Sequence, residues 1–301
     1  MIKKFRIGFF GDNLWAHKTL KYLFLDKTIG IDFICGRFSK EDKVLKSIAQ
    51  KKKIKFLRIK NIDNKKFIHF IKKRNLDLLV SMSFDQIFGK NLLRIINHNI
   101  INCHAGKLPF YRGRSPLNWV LINGEKEFGI TTHFVNEKID CGNIIDQKVF
   151  KIKEKDDYKS ILIKSYNECA KILYRSIKKI KSNNYNTIPQ KKISKKSSYF
   201  GKRVSGDEII NLKSSSKKIK NFVRGLVHPG PIARIDVKNN QICVEKIKIL
   251  NRKKEIKMNK KSLLYIENNK IYIKTVDKKI LRIDKWHLKN KMNNKEKLKI
   301  L

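Results

Sequence analysis

The chain has 301 residues, enough for two domains of ordinary size, and 41 % are apolar, enough to bury a core, so wholesale disorder is excluded. No eighteen-residue window is free of charge, and MIKKFRIGFFGDN runs straight into strand-like residues, so neither a membrane-spanning helix nor a signal peptide is expected. Lys and Arg number 71 against 26 Asp and Glu, a net charge of +45 that suits a polyanion; yet Lys, Ile and Asn share A/T-rich codons, and both readings stay open.

Five scattered cysteines, Cys35, Cys103, Cys141, Cys169 and Cys243, form no C-x-x-C pair. That argues against a disulfide framework or a structural zinc site, and for reduced thiols in the cytoplasm. Residues 5–10 (FRIGFF) read as a buried strand, followed by a turn at Gly11-Asp12-Asn13 and a helix to about Leu25. Further strands are expected at 31–35, near Phe56 and at 76–81. One helix should follow Asp42 and another should cover 67–73. Strands alternating with helices of this length predict an α/β fold with a doubly wound, mostly parallel sheet. The first turn lacks G-x-G-x-x-G, so a dinucleotide-dependent oxidoreductase loses its main support.

Beyond Asn99 a segment rich in Gly and Pro runs through Pro116. Strands are predicted at 130–135 and 144–152, around a turn at Asp140-Cys141-Gly142. Leu162, Tyr166, Cys169, Leu173, Ile177 and Ile180 follow three- and four-residue spacings, the stripe of an amphipathic helix. It should pack on the sheet and close a first domain over 1–188. A basic linker, 183–196, leads to a smaller second domain over 197–288. There Ser214-Ser215-Ser216 should cap a helix to about Leu226, stopped at His228-Pro229-Gly230-Pro231. Strands at 233–237, 242–250, 262–266 and 271–276, with hairpin turns at Asn239-Asn240 and Asn268-Asn269, predict a small antiparallel barrel. Residues 290–301 read as frayed.

Chemistry concentrates between Asn102 and Gly142. On an extended backbone Asn102 and His104 share one face and Cys103 takes the other. An amide donor then stands beside a titratable base, and Asp140, on a later loop, is the acid that can approach the imidazole. Acyl transfer to an amine needs these roles. The attacking amine must lose a proton, which imidazole accepts near neutrality. Charge develops on oxygen in the tetrahedral intermediate, where an amide can donate. A carboxylate favours the protonated imidazole and holds its orientation. N-x-H alone is a weak signal, since a lone histidine near a strand end is more often a structural residue.

The wider segment resembles the folate-dependent formyltransferases, which include methionyl-tRNA formyltransferase and the nucleotide-sugar amine formyltransferases. The resemblance is carried by Asn102/His104, Leu108-Pro109, Tyr111-Arg112-Gly113-Arg114, Pro116-Leu117-Asn118-Trp119, Asn123-Gly124-Glu125, Gly129-Ile130-Thr131 and Ile139-Asp140-Cys141-Gly142. It resumes at Tyr199-Phe200-Gly201-Lys202-Arg203, at 207–211 and at Asn221-Phe222-Val223-Arg224, and fades after about Ile235. The family fold it implies is a doubly wound sheet followed by an open, OB-like barrel. The implied activity is formyl transfer from 10-formyltetrahydrofolate to a primary amine, without a metal. Asn102 would stabilise the oxyanion, His104 would act as general base, and Asp140 would favour the protonated imidazole. The resemblance also places the pterin against Gln86-Ile87-Phe88 and against Asn136, Glu137, Lys138 and Ile139, with Arg114 nearby. The second loop departs from the family's glycine-rich or acidic wording, so its contacts should run mainly through backbone. Gln86-Ile87-Phe88 also reads as an ordinary loop anchor, and Arg112 and Arg114 as surface or structural ion pairs.

For the acceptor, tRNA-directed members carry a basic insertion after the second strand; here Cys35-Gly36-Arg37-Phe38 passes through Ser39-Lys40-Glu41-Asp42 into a helix without one. The wording R-G-R-S-P-L-N-W is also closer to the sugar-directed branch. The resemblance therefore favours a nucleotide-linked amino sugar, with initiator methionyl-tRNA as the alternative that the charge supports. A glycinamide-ribonucleotide transformylase would resemble only the first domain. A non-catalytic nucleic-acid binder would leave Asn102, His104 and Asp140 unexplained. No membrane partner is expected, and a homodimer is left open.

Overall fold

In the computed structural model, which describes residues 3–237, 240–250, 263–267 and 270–289, the predicted alternation is realised. β1 (Phe5–Gly11) leads through α1 (Asn13–Leu25) to β2 (Ile29–Gly36), α2 (Lys43–Lys51), β3 (Lys55–Arg58) and α3 (Lys65–Lys72). Then come β4 (Leu78–Met82), α4 (Lys90–Ile95), β5 (Ile100–His104), β6 (Arg112–Gly113), α5 (Pro116–Ile122), β7 (Glu127–Phe134) and β8 (Ile144–Lys151). α6 (Tyr158–Lys181), α7 (Gln190–Ile193), β9 (Tyr199–Phe200) and α8 (Ser216–Gly225) follow. The chain closes with β10 (Ala233–Val237), β11 (Asn240–Leu250), β12 (Leu264–Glu267), β13 (Lys270–Lys274) and β14 (Ile280–Leu288). One unit comprises residues 1–113, 128–150 and 163–200; the second comprises 114–127, 151–162 and 201–301. Among the described residues, no helix is long and apolar enough to cross a membrane.

The first unit holds a seven-stranded sheet of order β3-β2-β1-β4-β5-β7-β8. The strands from β3 to β5 are parallel and β7 runs antiparallel to β5. Strand order reverses between β1 and β4, and ligands of open α/β sheets bind beyond the carboxyl ends of strands at such a reversal. On one face Phe10 meets Phe33, Phe67, Phe84 and Phe88 edge-on at 5.1 to 6.1 Å. Each such pair contributes about 1 kcal/mol beyond its buried area. On the opposite face α6 delivers the predicted stripe: the Cys103 thiol donates to Cys169 O at 3.7 Å, and the Thr132 and Ser176 hydroxyls are 2.6 Å apart. Cys103 thus faces α6, and alternation turns Asn102 and His104 to the other side. All five cysteines are free.

α4, α5 and α7 have no counterpart in the sequence reading, because each is too short to show a helical period. α5 starts with Pro116 in its first turn, where a missing N–H costs nothing, so a proline that reads as a breaker opens a helix.

In the second unit a five-stranded antiparallel sheet of order β10-β11-β14-β13-β12 curls into a half-barrel, so the expected barrel is an open one. α8 packs Ile219, Val223 and Leu226 onto Ile235, Ile242, Val244, Ile271, Ile273 and Leu281. As predicted, the Ser215 hydroxyl caps α8 by accepting from Lys218 N. β14 escaped the sequence reading because its inside–outside alternation slips at Asp284-Lys285, where the register with β11 shifts. Val237 pairs with Asn240 and Glu267 with Lys270, so Asn240 opens β11 and is not part of the expected turn; Asn239, Ser262, Asn268, Asn269 and residues 290–301 lie outside the described residues.

Candidate active site

β5 ends on His104, which is 7 % exposed. Its Nε2 lies 2.7 Å from Tyr111 O. A carbonyl only accepts, so Nε2 carries the hydrogen, and the neutral ring keeps its lone pair on Nδ1. Nδ1 faces Asp140 Oδ2 at 3.6 Å. Tyr111 O reaches the ring because the segment after β5 folds back tightly. Tyr111 takes φ +58°, its N–H donates to Ser198 Oγ at 2.8 Å, and its ring stacks on Phe200 at 5.3 Å. Gly106 makes the return possible: a Cβ there would lie 2.5 Å from His104 Nε2 and 2.7 Å from Tyr111 O. Gly106→Ala should therefore push the imidazole out of line and, with His104 in the role expected from the sequence, lower kcat about a hundredfold. An alanine variant with wild-type kcat would show that the loop gives way instead.

Asp140 sits at φ +51° on the loop between β7 and β8. Its Oδ2 accepts from Gly113 N at 2.9 Å, and Oδ1 lies 3.4 Å from His133 Nε2. Gly113 has φ +92°, and a Cβ there would come 2.2 Å from Phe200 O, so only glycine serves. Behind the loop, Gln190 Nε2 donates to Asp140 O at 2.8 Å and Gly142 O at 2.9 Å, while its Oε1 accepts from the Arg112 guanidinium at 2.6 and 3.1 Å. Arg112 is thereby resolved as a structural brace. Burial pushes the Asp140 carboxyl upward, but the imidazoles of His104 and His133 in their charged forms and the Gly113 N–H outweigh it and hold it well below the usual carboxylate range.

A depressed carboxyl stabilises the fold above its unfolded value, about pH 4, and loses that contribution as pH falls towards its folded value. At pH 7, Asp140→Asn should cost about 3 kcal/mol, typical of a buried charge cluster losing one partner. Urea unfolding should show this gap narrowing below about pH 4; a gap independent of pH would mean that the charge at Asp140 does not stabilise the fold.

The remaining expected contacts divide. Gln86 donates to Ile59 O at 2.7 Å and accepts from Ile62 N at 3.1 Å, and Phe88 is buried against Phe10, so both side chains anchor the loop. Ile87 is 63 % exposed. Asn136, Glu137, Lys138 and Ile139 are exposed, and a Lys90–Glu137 ion pair of 3.5 Å brings their loop to the one carrying Ile87. Arg114 is exposed and opens a segment of the second unit. Asn118, by contrast, is buried and donates to Gly225 O at 2.7 Å, a packing contact within the second unit. The sequence reading missed His133, which pairs with Asn102 across β5 and β7 and so shares its face. The signal was there in Thr131-Thr132-His133, whose two-residue period puts Thr131 and His133 together.

Residues 34–177 match the formyl transferase family and residues 204–300 its C-terminal domain, and the chain belongs to that family. Over 173 residues it is 39 % identical to the bifunctional polymyxin resistance protein ArnA of Wigglesworthia glossinidia brevipalpis, covering 58 % of this chain and 26 % of that protein. Over 174 residues it is 32 % identical to methionyl-tRNA formyltransferase of Thermodesulfovibrio yellowstonii, covering 58 % of this chain and 55 % of that one. The chain thus spans from a quarter to just over half the length of these curated relatives. The crystal structure of WlaRD, a sugar 3N-formyl transferase in the presence of dTDP and 5-N-formyl-THF, superposes with a TM-score of 0.71 at 22 % identity, over 97 % of this chain and 100 % of that one, a likeness of fold.

Proposed function

We propose that the protein transfers a formyl group from 10-formyltetrahydrofolate to the primary amine of a nucleotide-activated amino sugar. The observation that carries the chemistry is the convergence of Asn102, His104 and Asp140, with an amide donor and an imidazole lone pair on one face of β5. The amine attacks the formyl carbon, and Asn102 donates to the oxygen that becomes negative. The ammonium proton goes to His104 Nδ1, since Nε2 is committed to Tyr111 O, and Asp140 stabilises the imidazolium that results. Collapse of the intermediate breaks the bond to N10 of the folate, which takes the proton back from Nδ1. The products are a formamide and tetrahydrofolate. Ile87 and the backbone of Asn136 to Ile139 are the surfaces offered to the pterin.

The sugar acceptor is supported by the loop between β2 and α2. It is short, and it is tied down where Arg37 donates to Ser83 O at 2.8 Å and pairs with Asp12 at 3.4 Å. No basic arm projects there to follow an acceptor stem. Asn118 supports the sugar branch only by likeness, because its amide is held by Gly225 O. The +45 charge favours the second reading, initiator methionyl-tRNA.

The test is to supply 10-formyltetrahydrofolate with panels of nucleotide-linked amino sugars and with charged initiator tRNA, at low and physiological salt, following tetrahydrofolate by absorbance. Turnover should appear on a nucleotide sugar and fall only modestly with salt. A tRNA substrate, engaging many phosphates, would lose affinity by orders of magnitude over that range. Efficient formylation of methionyl-tRNA with none on any sugar would overturn the acceptor and leave the folate chemistry standing.

A further inference from the structure

His133 is 2 % exposed and sits opposite Asn102 in the β5–β7 register. Its Nδ1 lies 2.7 Å from Phe134 O. That carbonyl can only accept, so Nδ1 carries the hydrogen, and in the neutral ring Nε2 holds the lone pair. Two groups approach Nε2: Asn102 Nδ2 at 3.3 Å and Asp140 Oδ1 at 3.4 Å. Only the amide can donate to a lone pair. Among the described residues this is the one hydrogen bond that the Asn102 side chain makes. Without it the amide is free to turn end over end, and its oxygen would then repel the oxyanion its nitrogen should bind.

We infer that His133 is a positioning residue, whose Nε2 lone pair holds the nitrogen end of the Asn102 amide in place and leaves the second N–H for the oxygen of the tetrahedral intermediate. The inference rests on the proposed formyl transfer. Asp140 Oδ1 stands 3.4 Å from the same nitrogen, so a proton gained at Nε2 would turn the ring from accepting the Asn102 amide to donating to the carboxylate. The charged and titratable groups facing it are Asp140, from the β7–β8 loop, and behind that carboxylate His104, at the end of β5.

Two substitutions separate this role from packing. His133→Phe fills the space and has no acceptor; His133→Gln puts an amide oxygen near the position of Nε2. His133→Phe should lower kcat on the order of ten- to a hundredfold with both KM values changed by less than about threefold, whereas His133→Gln should keep kcat within about threefold of wild type. In an Asn102→Ala background the phenylalanine substitution should cost little more, because the group it acts through is gone. Equal losses in the Phe and Gln variants, or a full additional loss in the Asn102→Ala background, would overturn the inference. A readout independent of substrate uses protein labelled with 15N in its histidines, with the His133 signals identified by their disappearance in His133→Gln. Neutral His133 should be protonated at Nδ1, and its Nε2 resonance should move in Asn102→Ala. A proton on Nε2 would sink the inference even if turnover were normal. A wild-type protein inactive on every acceptor would count against the proposed function alone, leaving the placement of His133 to the spectrum.

Discussion

Replacing His104 with alanine should lower kcat for formyl transfer by about a hundred- to ten-thousandfold, the usual contribution of a positioned general base. The effect should fall on kcat and spare binding of 10-formyltetrahydrofolate, since the ring is enclosed and 7 % exposed while the surfaces offered to the pterin lie on other loops. The atom that matters is Nδ1. Nε2 donates to Tyr111 O at 2.7 Å and cannot receive a proton, so in the proposed transfer the amine would deliver its proton on the side of Asp140. That assignment gives His104→Gln a definite expectation: its amide nitrogen can still reach the Tyr111 carbonyl and preserve the loop, yet it offers no base, and turnover should stay low. Single-turnover measurements with saturating folate would check this. A glutamine or alanine variant within tenfold of wild type would falsify the role given to His104.

How much of this was legible beforehand follows from what side-chain patterns encode. The parallel strands were readable because runs such as FRIGFF must be buried on both faces, and the α6 stripe because its period matches a helix. Asn102 and His104 were readable as a pair from their two-residue spacing, and Asp140 from its place in the family-like segment. The hydrogen bond that decides the protonation site was hidden, because its acceptor is the backbone oxygen of Tyr111, which no residue type announces. Gln190 was hidden for a different reason. It lies in a basic stretch that reads as a linker, and its role appears only once Arg112 and the Asp140 loop, far away in sequence, close around it. For Gln86 and Phe88 the resemblance named a loop and not the parts of it that face outward: the Gln86 amide is held by Ile59 and Ile62 and the Phe88 ring by Phe10, which leaves their backbone for a ligand.

Asn102→Ala should cost kcat about a hundredfold, roughly 3 kcal/mol, the loss found when one oxyanion donor is removed. The donor is made by the sheet. β4 and β7 flank β5, with Ser81 and His133 as the register partners of Asn102, so the backbone that carries the amide is held on both sides. Cys103, pinned against Cys169 on α6, fixes which way the neighbouring side chains turn. A rigid donor needs no rearrangement as charge develops, which makes it worth more than a water molecule in the same place. Asn102→Asp is the sharper variant. It is nearly isosteric, but its carboxylate would meet the oxyanion with like charge beside the already ionised Asp140, so its kcat should fall at least as far as that of the alanine variant. The alanine variant should retain the wild-type unfolding midpoint within a few degrees, since Asn102 is half-buried and makes one hydrogen bond. If Asn102→Asp instead turned over faster than Asn102→Ala, the residue would be helping to remove the proton of the attacking amine, and oxyanion stabilisation would have to come from elsewhere in the site.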